Sequence, residues 1–528
     1  MKRWAFFFLA ASVLLGQEVT PRRLLQAQEE TGAWLMYGRN YAAWRFSPLQ
    51  QIDPSNVARL TPQWIFQTGV RGKFQTTPLV FDGLMYITTD SNRAFALDLL
   101  TGRPLWQYAS EVPKGISGCC GEPNRGFAAL GDRLFKVNIE GTLVALDAKT
   151  GSVVWETTMA DYKKGFSATA APLVVKDMVI SGIAGAEFGT RDFLDAYDAS
   201  TGKLRWRFWT IPAPGEPGHN TWGSGDAWMR GGGSTWITGS YDPELNLIYW
   251  GTGNPGPDLN GEDRPGDNLY TCSVIALDAD TGKLVWHYQF TPHDEHDWDA
   301  ASDLVLVDVE YEGKAVKAVI QANRNGFFYA LDRKDGRFLF AKPYTEVDWA
   351  TGIGTDGRPM LVPNKRPSPE GTIACPGLLG GHTWPASTYS PQTGLYYFNS
   401  TDGCHIYFNT RQEYIEGQWY QGSTYNAIPS RPQKGSIIGL HPANGEIAWR
   451  FEMVTPSRAG LLSTAGGLVF SADTEGYVFS LDARSGKPLW NFATGAWVQG
   501  SPISYEFRGR QYIAIASGQA LITFALPK

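Results

Sequence analysis

The stretch ALDAKTGSVVW at residues 145–155 recurs, with substitutions, along the whole chain. An apolar run ends at an Asp or His, a turn containing Gly follows, and an aromatic residue stands four positions after that Gly. Six further copies with this spacing start at Ala96, Ala196, Ala276, Ala330, Gly439 and Ser480. Units repeated at a period of tens of residues must bury their apolar faces against one another. The chain is therefore expected to form a closed array or a solenoid.

Each copy predicts two antiparallel strands joined by a tight turn. Gly151 supplies a positive φ, while Asp147 and Thr150 can bond the local backbone. Further short β runs lie between the copies, such as residues 78–81 and 84–88 on either side of an Asp-Gly turn. About four strands per unit is the composition of a propeller blade. The recurring Trp suits packing between blades, because its indole N–H needs one fixed acceptor.

The number of blades is predicted from the clear copies of the repeat together with the degraded copies. Trp64 ends a divergent first copy, and residues 390–394 (SPQTG) are a degraded turn inside a stretched gap. The sequence thus predicts an all-β fold, an eight-bladed propeller of four-stranded antiparallel blades with docked Trp residues. Seven blades is the alternative. The similarity between copies predicts one domain over residues 28–528.

The amino terminus and the composition bear on location and partners. Met1-Lys2-Arg3 precedes an apolar run over residues 4–15, which is too short to span a bilayer comfortably. A signal peptide is therefore predicted within residues 1–27, cleaved after Gly16 or Ala27, with export to the periplasm and no stable membrane insertion. The net charge is −6 and no basic cluster stands out, so nucleic acid is not an expected partner.

The five cysteines also fit an exported protein. Cys119 and Cys120 are adjacent, with Cα atoms about 3.8 Å apart, so a bond between them would close a strained, compact ring. Such a ring closes almost no loop and adds little stability; a functional interpretation is a rigid surface on which a planar ligand stacks. The alternative is two unpaired thiols in a turn. Cys375 and Cys404 could form an ordinary bridge, and Cys272 is expected to be a buried free thiol.

The loop continues as GEPNRG over residues 121–126. The repeats resemble those of quinoproteins, and the Cys pair followed by Asn124-Arg125-Gly126 resembles the cofactor loop of pyrroloquinoline quinone (PQQ)-dependent alcohol dehydrogenases. The likeness begins at residues 34–39 and covers nearly the whole mature chain. It implies a disulfide between Cys119 and Cys120 on one face of PQQ, with Trp236 stacked on the other. Without the resemblance, Trp236 would be one more blade-packing Trp. The bridge between Cys375 and Cys404 also has a counterpart in the family.

The same resemblance implies a cation site. Its ligands would be Glu187 in AGAEFG, Asn254 in GTGNP, and Asp297 and Asp299 in the acidic run TPHDEHDWD at residues 291–299. Carboxylate and amide oxygens suit a hard cation rather than zinc or copper. Asp299 matches the extra carboxylate of lanthanide-using members, which favours a lanthanide slightly over calcium. From the residues alone, a solvated turn carboxylate, a turn Asn before Pro and an exposed acidic loop are the plainer interpretations.

The remaining cofactor contacts are also implied by the resemblance. Arg324 would stand near the reacting quinone oxygens as a catalytic cation. The full cofactor set is Gln75, Cys119, Cys120, Arg125, Thr169, Ala184, Gly185, Ala186, Ser234, Trp236, Arg324, Thr383 and Trp384. Four positions depart from the family pattern, which has Glu, Ser, Asn and Trp where this chain has Gln75, Ala184, Thr383 and Arg458. These departures, and the lack of a longer Trp-bearing tail after residue 528, put methanol specificity in doubt.

The implied function is periplasmic oxidation of an alcohol or a sugar by hydride transfer to metal-bound PQQ. Asp297 would be the general base, and Arg324 would stabilise negative charge on the reduced quinone. No C-x-x-C-H motif for covalent haem occurs, so electrons would pass to a separate acceptor, a soluble cytochrome c, with a quinone pool as the alternative. A non-catalytic propeller acting as a periplasmic scaffold is the alternative, and a degenerate former enzyme is a third hypothesis. The particular substrate and the oligomeric state are not specified by these motifs.

Overall fold

The structure is a computed structural model that describes residues 18–116 and 118–528. The predicted signal peptide therefore falls largely outside the described residues. Helices are few and short: the α-helix Pro21–Leu25 and the 3-10 helices Val57–Arg59, Tyr162–Lys164, Ala186–Phe188, His219–Trp222 and Ala227–Arg230. In the described part of the chain, no helix is both long enough and apolar enough to cross a bilayer.

Eight antiparallel sheets follow one another along the described chain, and each has the four strands of a propeller blade. Blade 1 is formed by Leu79–Phe81, Leu84–Thr88, Ala94–Asp98 and Pro104–Tyr108. Blade 2 is formed by Ala128–Leu130, Arg133–Asn138, Thr142–Asp147 and Val153–Thr158. Blade 3 is formed by Leu173–Val175, Met178–Gly182, Phe193–Asp198 and Leu204–Trp209. Blade 4 is formed by Ser240–Asp242, Leu247–Gly251, Ser273–Asp278 and Leu284–Gln289.

The second half of the ring repeats this plan. Blade 5 is formed by Val305–Tyr311, Lys314–Ala322, Phe327–Asp332 and Phe338–Pro343. Blade 6 is formed by Thr388–Ser390, Leu395–Asp402, Lys434–Leu440 and Ile447–Met453. Blade 7 consists of Leu462–Thr464, Leu468–Ala472, Tyr477–Asp482 and Pro488–Ala493, with Phe46–Ser47 added in parallel to its first strand. Blade 8 consists of Ile503–Phe507, Arg510–Ser517, Ala520–Ala525 and Thr61–Gln67.

Blade 8 closes the ring with strands from both ends of the propeller. Thr61–Gln67 is its outer strand and pairs antiparallel with Ala520–Ala525, so that Thr61 lies opposite Ala525 and Gln67 opposite Ala520. Trp64 belongs to this strand, which explains why only the end of a repeat was visible near it in the sequence. The predicted all-β, eight-bladed propeller is confirmed.

The recurring Trp residues dock neighbouring blades as the repeats predicted. Six of the indole N–H groups donate to a backbone carbonyl in the turn of the next blade, at 2.9 to 3.2 Å; they belong to Trp64, Trp106, Trp155, Trp206, Trp286 and Trp449. The turn Gly lies against the ring: Gly151 has φ +72°, and a Cβ there would be 2.6 Å from Trp106. The turn therefore requires Gly both for its backbone and for the close approach of the ring.

Two small sheets are inserted around blade 6. One pairs Ala350–Ile353 with Pro359–Leu361, and the other contains Thr372–Ala374, His405–Tyr407 and Tyr425–Ala427. The predicted disulfide between Cys375 and Cys404 is present at the end of the second sheet, and Cys272 is a buried free thiol as expected.

The segment just before the propeller is packed against it. The N–H of Val19 donates to the carbonyl of Gly131 in blade 2 at 3.0 Å, and Leu24 and Ala27 are buried. Residues 18–27 thus contact the domain that was predicted to begin at residue 28.

Candidate active site

A cavity of about 300 Å³ lies where the eight loops that enter the blades converge. The loops entering blades 1 to 8 contribute, in order, Gln75, Arg125, Thr169, Trp236, Asp297, Thr383, Arg458 and Gln499. Because every blade supplies one of these residues, the cavity lies on the axis of the ring. Loops between the second and third strands of blades 3 and 5 add Glu187 and Arg324 from the same end.

A larger groove of about 600 Å³ is formed by residues 291–296 and 361–366 with their neighbours, but none of the predicted site residues lines it. The smaller central cavity is therefore the candidate site. Fourteen predicted residues line it: Gln75, Cys119, Cys120, Arg125, Thr169, Ala184, Glu187, Ser234, Trp236, Asp297, Asp299, Arg324, Thr383 and Trp384.

The other three predicted residues contact this lining. The N–H groups of Gly185 and Ala186 lie 3.3 and 3.2 Å from the hydroxyl oxygen of Ser234. The N–H of Asn254 donates to Asp299 Oδ1 at 2.6 Å. The fold thus brings the whole predicted set together, although the role of each residue stays a prediction.

The acidic residues are organised around Arg324. Its guanidinium donates to Asp297 Oδ2 at 2.9 Å, to Asp299 Oδ2 at 3.0 Å and to the carbonyl of Leu378. Burial alone would lower the pKa of Arg324, but the two carboxylates raise it above its ordinary value. All three side chains are buried, so Arg324 remains a charged partner held in a fixed orientation.

The carboxylates outnumber the cations that contact them. Burial raises the pKa of Glu187 to about 8, with further contributions from Cys120 and Asp299. Burial also raises the pKa of Asp297 well above its ordinary range, because Arg324 offsets only part of that cost. Such a group of acids is costly to ionise unless a cation neutralises it. The donor set is all oxygen, which is the preference of hard cations.

Glu187 is carried on a short, constrained turn. Ala186–Phe188 is a 3-10 helix between Gly185 and Gly189, and a Cβ at Gly185 would be 2.6 Å from Thr190 Oγ1. Nearby, Asp192 accepts hydrogen bonds from Ser234 at 2.5 Å and from Thr190 at 2.6 Å. The small residues noted in the sequence therefore allow close packing that holds Glu187 at the cavity.

A cation and two indoles form another part of the wall. Arg125 donates to Thr169 Oγ1 at 2.6 Å, and its guanidinium carbon lies 4.9 Å from the ring centroid of Trp236 and 5.3 Å from that of Trp384. Its Nε is buried and has no partner among the described residues. Among the described residues no carboxylate pairs with Arg125, so its guanidinium suits an anionic ligand.

The disulfide predicted between Cys119 and Cys120 is absent from the structure. Both are free cysteines, and their Sγ atoms lie 2.6 Å apart, beyond the S–S bond length of about 2.05 Å. The hydrogen bond from Cys119, together with Lys73 and nearby arginines, lowers the pKa of Cys120 to about 6. A thiolate at neutral pH is the form that oxidises readily.

Sequence reasoning missed several residues of the site. Lys73 donates to the carbonyl of Cys120 and so holds the Cys loop, and Tyr425 and Trp497 line the cavity. Asp258 is fully buried and accepts a hydrogen bond from the Asn254 side chain at 2.8 Å. The sequence shows this acid four residues after Asn254, in GTGNPGPDLN, but it does not show that the side chain is buried.

Comparison with known proteins gives a consistent picture. The family described as glucose/ethanol/alcohol dehydrogenase, beta-propeller domain, matches residues 34–354, and the outer membrane protein assembly factor BamB family matches residues 433–525. The chain is 39% identical to the quinohemoprotein alcohol dehydrogenase ADH IIB of Pseudomonas putida, covering 94% of this chain and 74% of that protein.

Two further similarities extend over nearly all of the chain. It is 38% identical to the quinoprotein alcohol dehydrogenase PedH of Pseudomonas putida, covering 97% of this chain and 90% of that protein. The solved structure of a europium-containing methanol dehydrogenase superposes with a TM-score of 0.91 at 33% identity, covering 96% of this chain and all of that one.

Proposed function

Because the chain belongs to the PQQ-dependent alcohol dehydrogenase family, we propose that it oxidises an alcohol in the central cavity, with metal-bound PQQ as the hydride acceptor. One observation carries this proposal. Loops from all eight blades converge on a single cavity that joins a carboxylate–arginine cluster, an unpaired guanidinium, an indole and a pair of cysteines. A structural scaffold has no need of this convergence, and the BamB family matches only the last blades.

The residues of the cavity fit PQQ, a flat quinone that carries carboxylates. Arg125 and Thr169 would bind one carboxylate, with Ser234 and Gln75 beside them. Gln75 Oε1 is buried without a partner among the described residues, as expected for a group that awaits a ligand donor. Trp236 would stack on one face. The Cys119–Cys120 pair would lie on the other face, and we propose that it oxidises to a disulfide in the exported protein.

Glu187, Asn254, Asp297 and Asp299 would hold the cation, which is calcium or a lanthanide. When bound, PQQ supplies a two-electron acceptor for the hydride of the substrate. Asp297 accepts the hydroxyl proton of the alcohol as general base. Arg324 favours the ionised form of Asp297 through the contact at 2.9 Å, and only that form can take the proton.

The electrons then pass to a separate acceptor, which we propose is a soluble cytochrome c, since the sequence has no C-x-x-C-H motif of its own. We place the reaction in the periplasm. Val19 is hydrogen-bonded to Gly131 of blade 2, and Leu24 and Ala27 are buried; cleavage of the signal peptide after Gly16 would preserve these contacts, whereas cleavage after Ala27 would remove them.

The test is reconstitution of the purified chain with PQQ and either Ca²⁺ or La³⁺. We expect bound PQQ to be visible by its absorbance and an artificial dye to be reduced in an alcohol-dependent way. Asp297→Asn keeps an oxygen ligand but removes the base, so kcat should fall by about 10²–10⁴-fold with PQQ and metal still bound.

Asp267→Asn is the matched control, because Asp267 is a part-exposed acid paired with Arg358 at 2.9 Å outside the cavity. It should retain full turnover. Full turnover of the Asp297→Asn protein would refute the assigned base, and failure of the wild type to bind PQQ would refute the function itself.

A further inference from the structure

Asp258 has surroundings that the proposed ligand set does not explain. It lies in the loop between Leu247–Gly251 and Ser273–Asp278 of blade 4, the same loop that carries Asn254, and its exposed fraction is 0%. Its Oδ1 accepts a hydrogen bond from Asn254 Nδ2 at 2.8 Å. The other carboxylate oxygen, Oδ2, is buried and has no partner among the described residues.

The hydrogen bond to Asp258 fixes the orientation of the Asn254 amide. Asn254 Nδ2 lies 2.8 Å from Asp258 Oδ1 and 3.3 Å from the carbonyl of Pro255. An ionised carboxylate and a carbonyl both accept only, so the nitrogen must face them. The amide oxygen of Asn254 is therefore turned away from both and is the atom left to bind a cation.

The unpaired oxygen of Asp258 points to a missing positive charge. A buried carboxylate oxygen without a donor is costly unless a proton or a cation compensates it. Glu187, Asp297 and Asp299 repel a negative charge on Asp258, and Arg264 attracts it. The Arg264 guanidinium donates to Asn268 and to the carbonyls of Pro257 and Asp294, and its buried Nε has no partner among the described residues.

We propose that Asp258 belongs to the cation site, where it orients Asn254 and adds a fourth carboxylate that favours a trivalent over a divalent ion. Asp258 brings the number of carboxylates around the site to four, with Glu187, Asp297 and Asp299, while Arg324 and Arg264 are the cations that act on them. An added negative charge attracts a trivalent ion more strongly than Ca²⁺, because the Coulomb energy scales with the charge of the ion. This inference rests on the proposed function only for the location of the cation.

The experiment compares Asp258→Asn with Asp258→Ala in the PQQ-loaded chain after its cation has been stripped with a chelator. Binding of La³⁺ and of Ca²⁺ is measured by titration calorimetry. The Asn variant keeps the shape of the side chain and a hydrogen-bond acceptor for Asn254 but removes the negative charge. The Ala variant removes the acceptor as well as the charge. The lost Coulomb energy scales with the charge of the ion. If Asp258→Asn weakens La³⁺ binding about 100-fold, Ca²⁺ binding should therefore weaken only about 20-fold.

Asp258→Ala should weaken both ions further, because Asn254 is no longer held. Asp263→Asn, an exposed acid of the same loop, is the control and should bind both ions like the wild type. Thermal unfolding without cation checks the fold, and Asp258→Asn should melt no lower than the wild type because it removes an unpaired buried charge.

Unchanged binding in Asp258→Asn, or an equal loss for La³⁺ and Ca²⁺, would overturn the role of Asp258. These outcomes differ from a failure of the proposed function, in which the wild type itself would retain no PQQ and show no saturable binding of either ion.

Discussion

Lys136 places an ammonium group in the interior of blade 2, away from the central cavity. Its Nζ contacts Asn138 Oδ1 and lies 5.1 Å from the ring centroid of Tyr108, and the residue is fully buried. Burial lowers the pKa of Lys136 to about 7, with Glu140 and Glu156 acting in the opposite direction. The charged form is thus disfavoured in the folded state relative to the unfolded chain, where the pKa is about 10.4.

The stability of the protein should therefore rise with pH above 7. Below pH 7 Lys136 is protonated in both states and the full penalty applies. Between pH 7 and about 10.4 the unfolded chain binds more protons than the folded one, so the free energy of unfolding increases with pH. We expect a gain of about 2 kcal/mol between pH 7 and pH 9, from about 1.4 kcal/mol for each unit of pKa shift.

Lys136→Met should abolish most of this gain and raise the stability at pH 7, as measured by urea unfolding at both pH values. Lys314→Met, which alters an exposed lysine of blade 5, should leave the gain intact. An identical pH dependence in the wild type and Lys136→Met would contradict this assignment.

The site residues that could be predicted are those embedded in motifs. Cys119-Cys120, Asn254 and Asp297 each stand in a short pattern whose neighbours are recognisable. The fold brings the Cys pair and Asp297 to one cavity, and Asn254 contacts its lining through Asp299. Asp258 and Lys136 could not be found in this way, because their importance comes from burial and from which polar groups remain unpaired. Those properties arise only when distant loops pack together.

At the level of one element, the turn glycine and the docked indole act as a unit. Gly151 has φ +72° and lies against Trp106, whose N–H donates to the carbonyl of Ala148 at 2.9 Å in the same turn. The repeat predicted this arrangement because its spacing is fixed. By contrast, the two small sheets around blade 6 could not be predicted, since they interrupt the repeat with short irregular strands.

Replacing Gly151 with Ala should destabilise the protein by more than the backbone cost alone. Gly394→Ala is a matched control, since Gly394 has φ +68° but nothing lies within 4 Å of its added Cβ. That control should cost about 1–2 kcal/mol, the penalty of a left-handed conformation for an L-residue. Gly151→Ala should cost at least about 1 kcal/mol more, because the Cβ would overlap the Trp106 ring.

Urea unfolding of both variants measures the difference. Equal losses of unfolding free energy would show that the ring moves aside at no cost and that the docking geometry is not a constraint.

The ring as a whole depends on the pairing of its two ends. Leu521, Ile522 and Phe524 are buried in the strand that pairs with Thr61–Gln67. The repeats indicated the number of blades, but the sequence placed Trp64 at the end of a divergent first copy, whereas its strand belongs to the last blade. Closure is a long-range pairing between residues more than 450 positions apart, which no local pattern encodes.

A chain that stops after Gln519 should therefore lose its cooperative fold. Removal of three buried apolar side chains costs about 2–5 kcal/mol each, which together approaches the whole stability of a typical domain. A chain that lacks only the exposed residues 527–528 is the control and should unfold like the wild type. Circular dichroism during thermal unfolding separates the two, and an unchanged melting transition for the longer truncation would show that closure is dispensable.

The convergence of all eight entry loops on one cavity sets an order of events in biogenesis. The pocket is complete only when all eight blades are in place, because each blade supplies one loop to its wall. PQQ would therefore bind late, to a propeller that has already closed. A chain that folds without PQQ would then accumulate as a closed but inactive apoprotein, which the quinone and its cation together would activate.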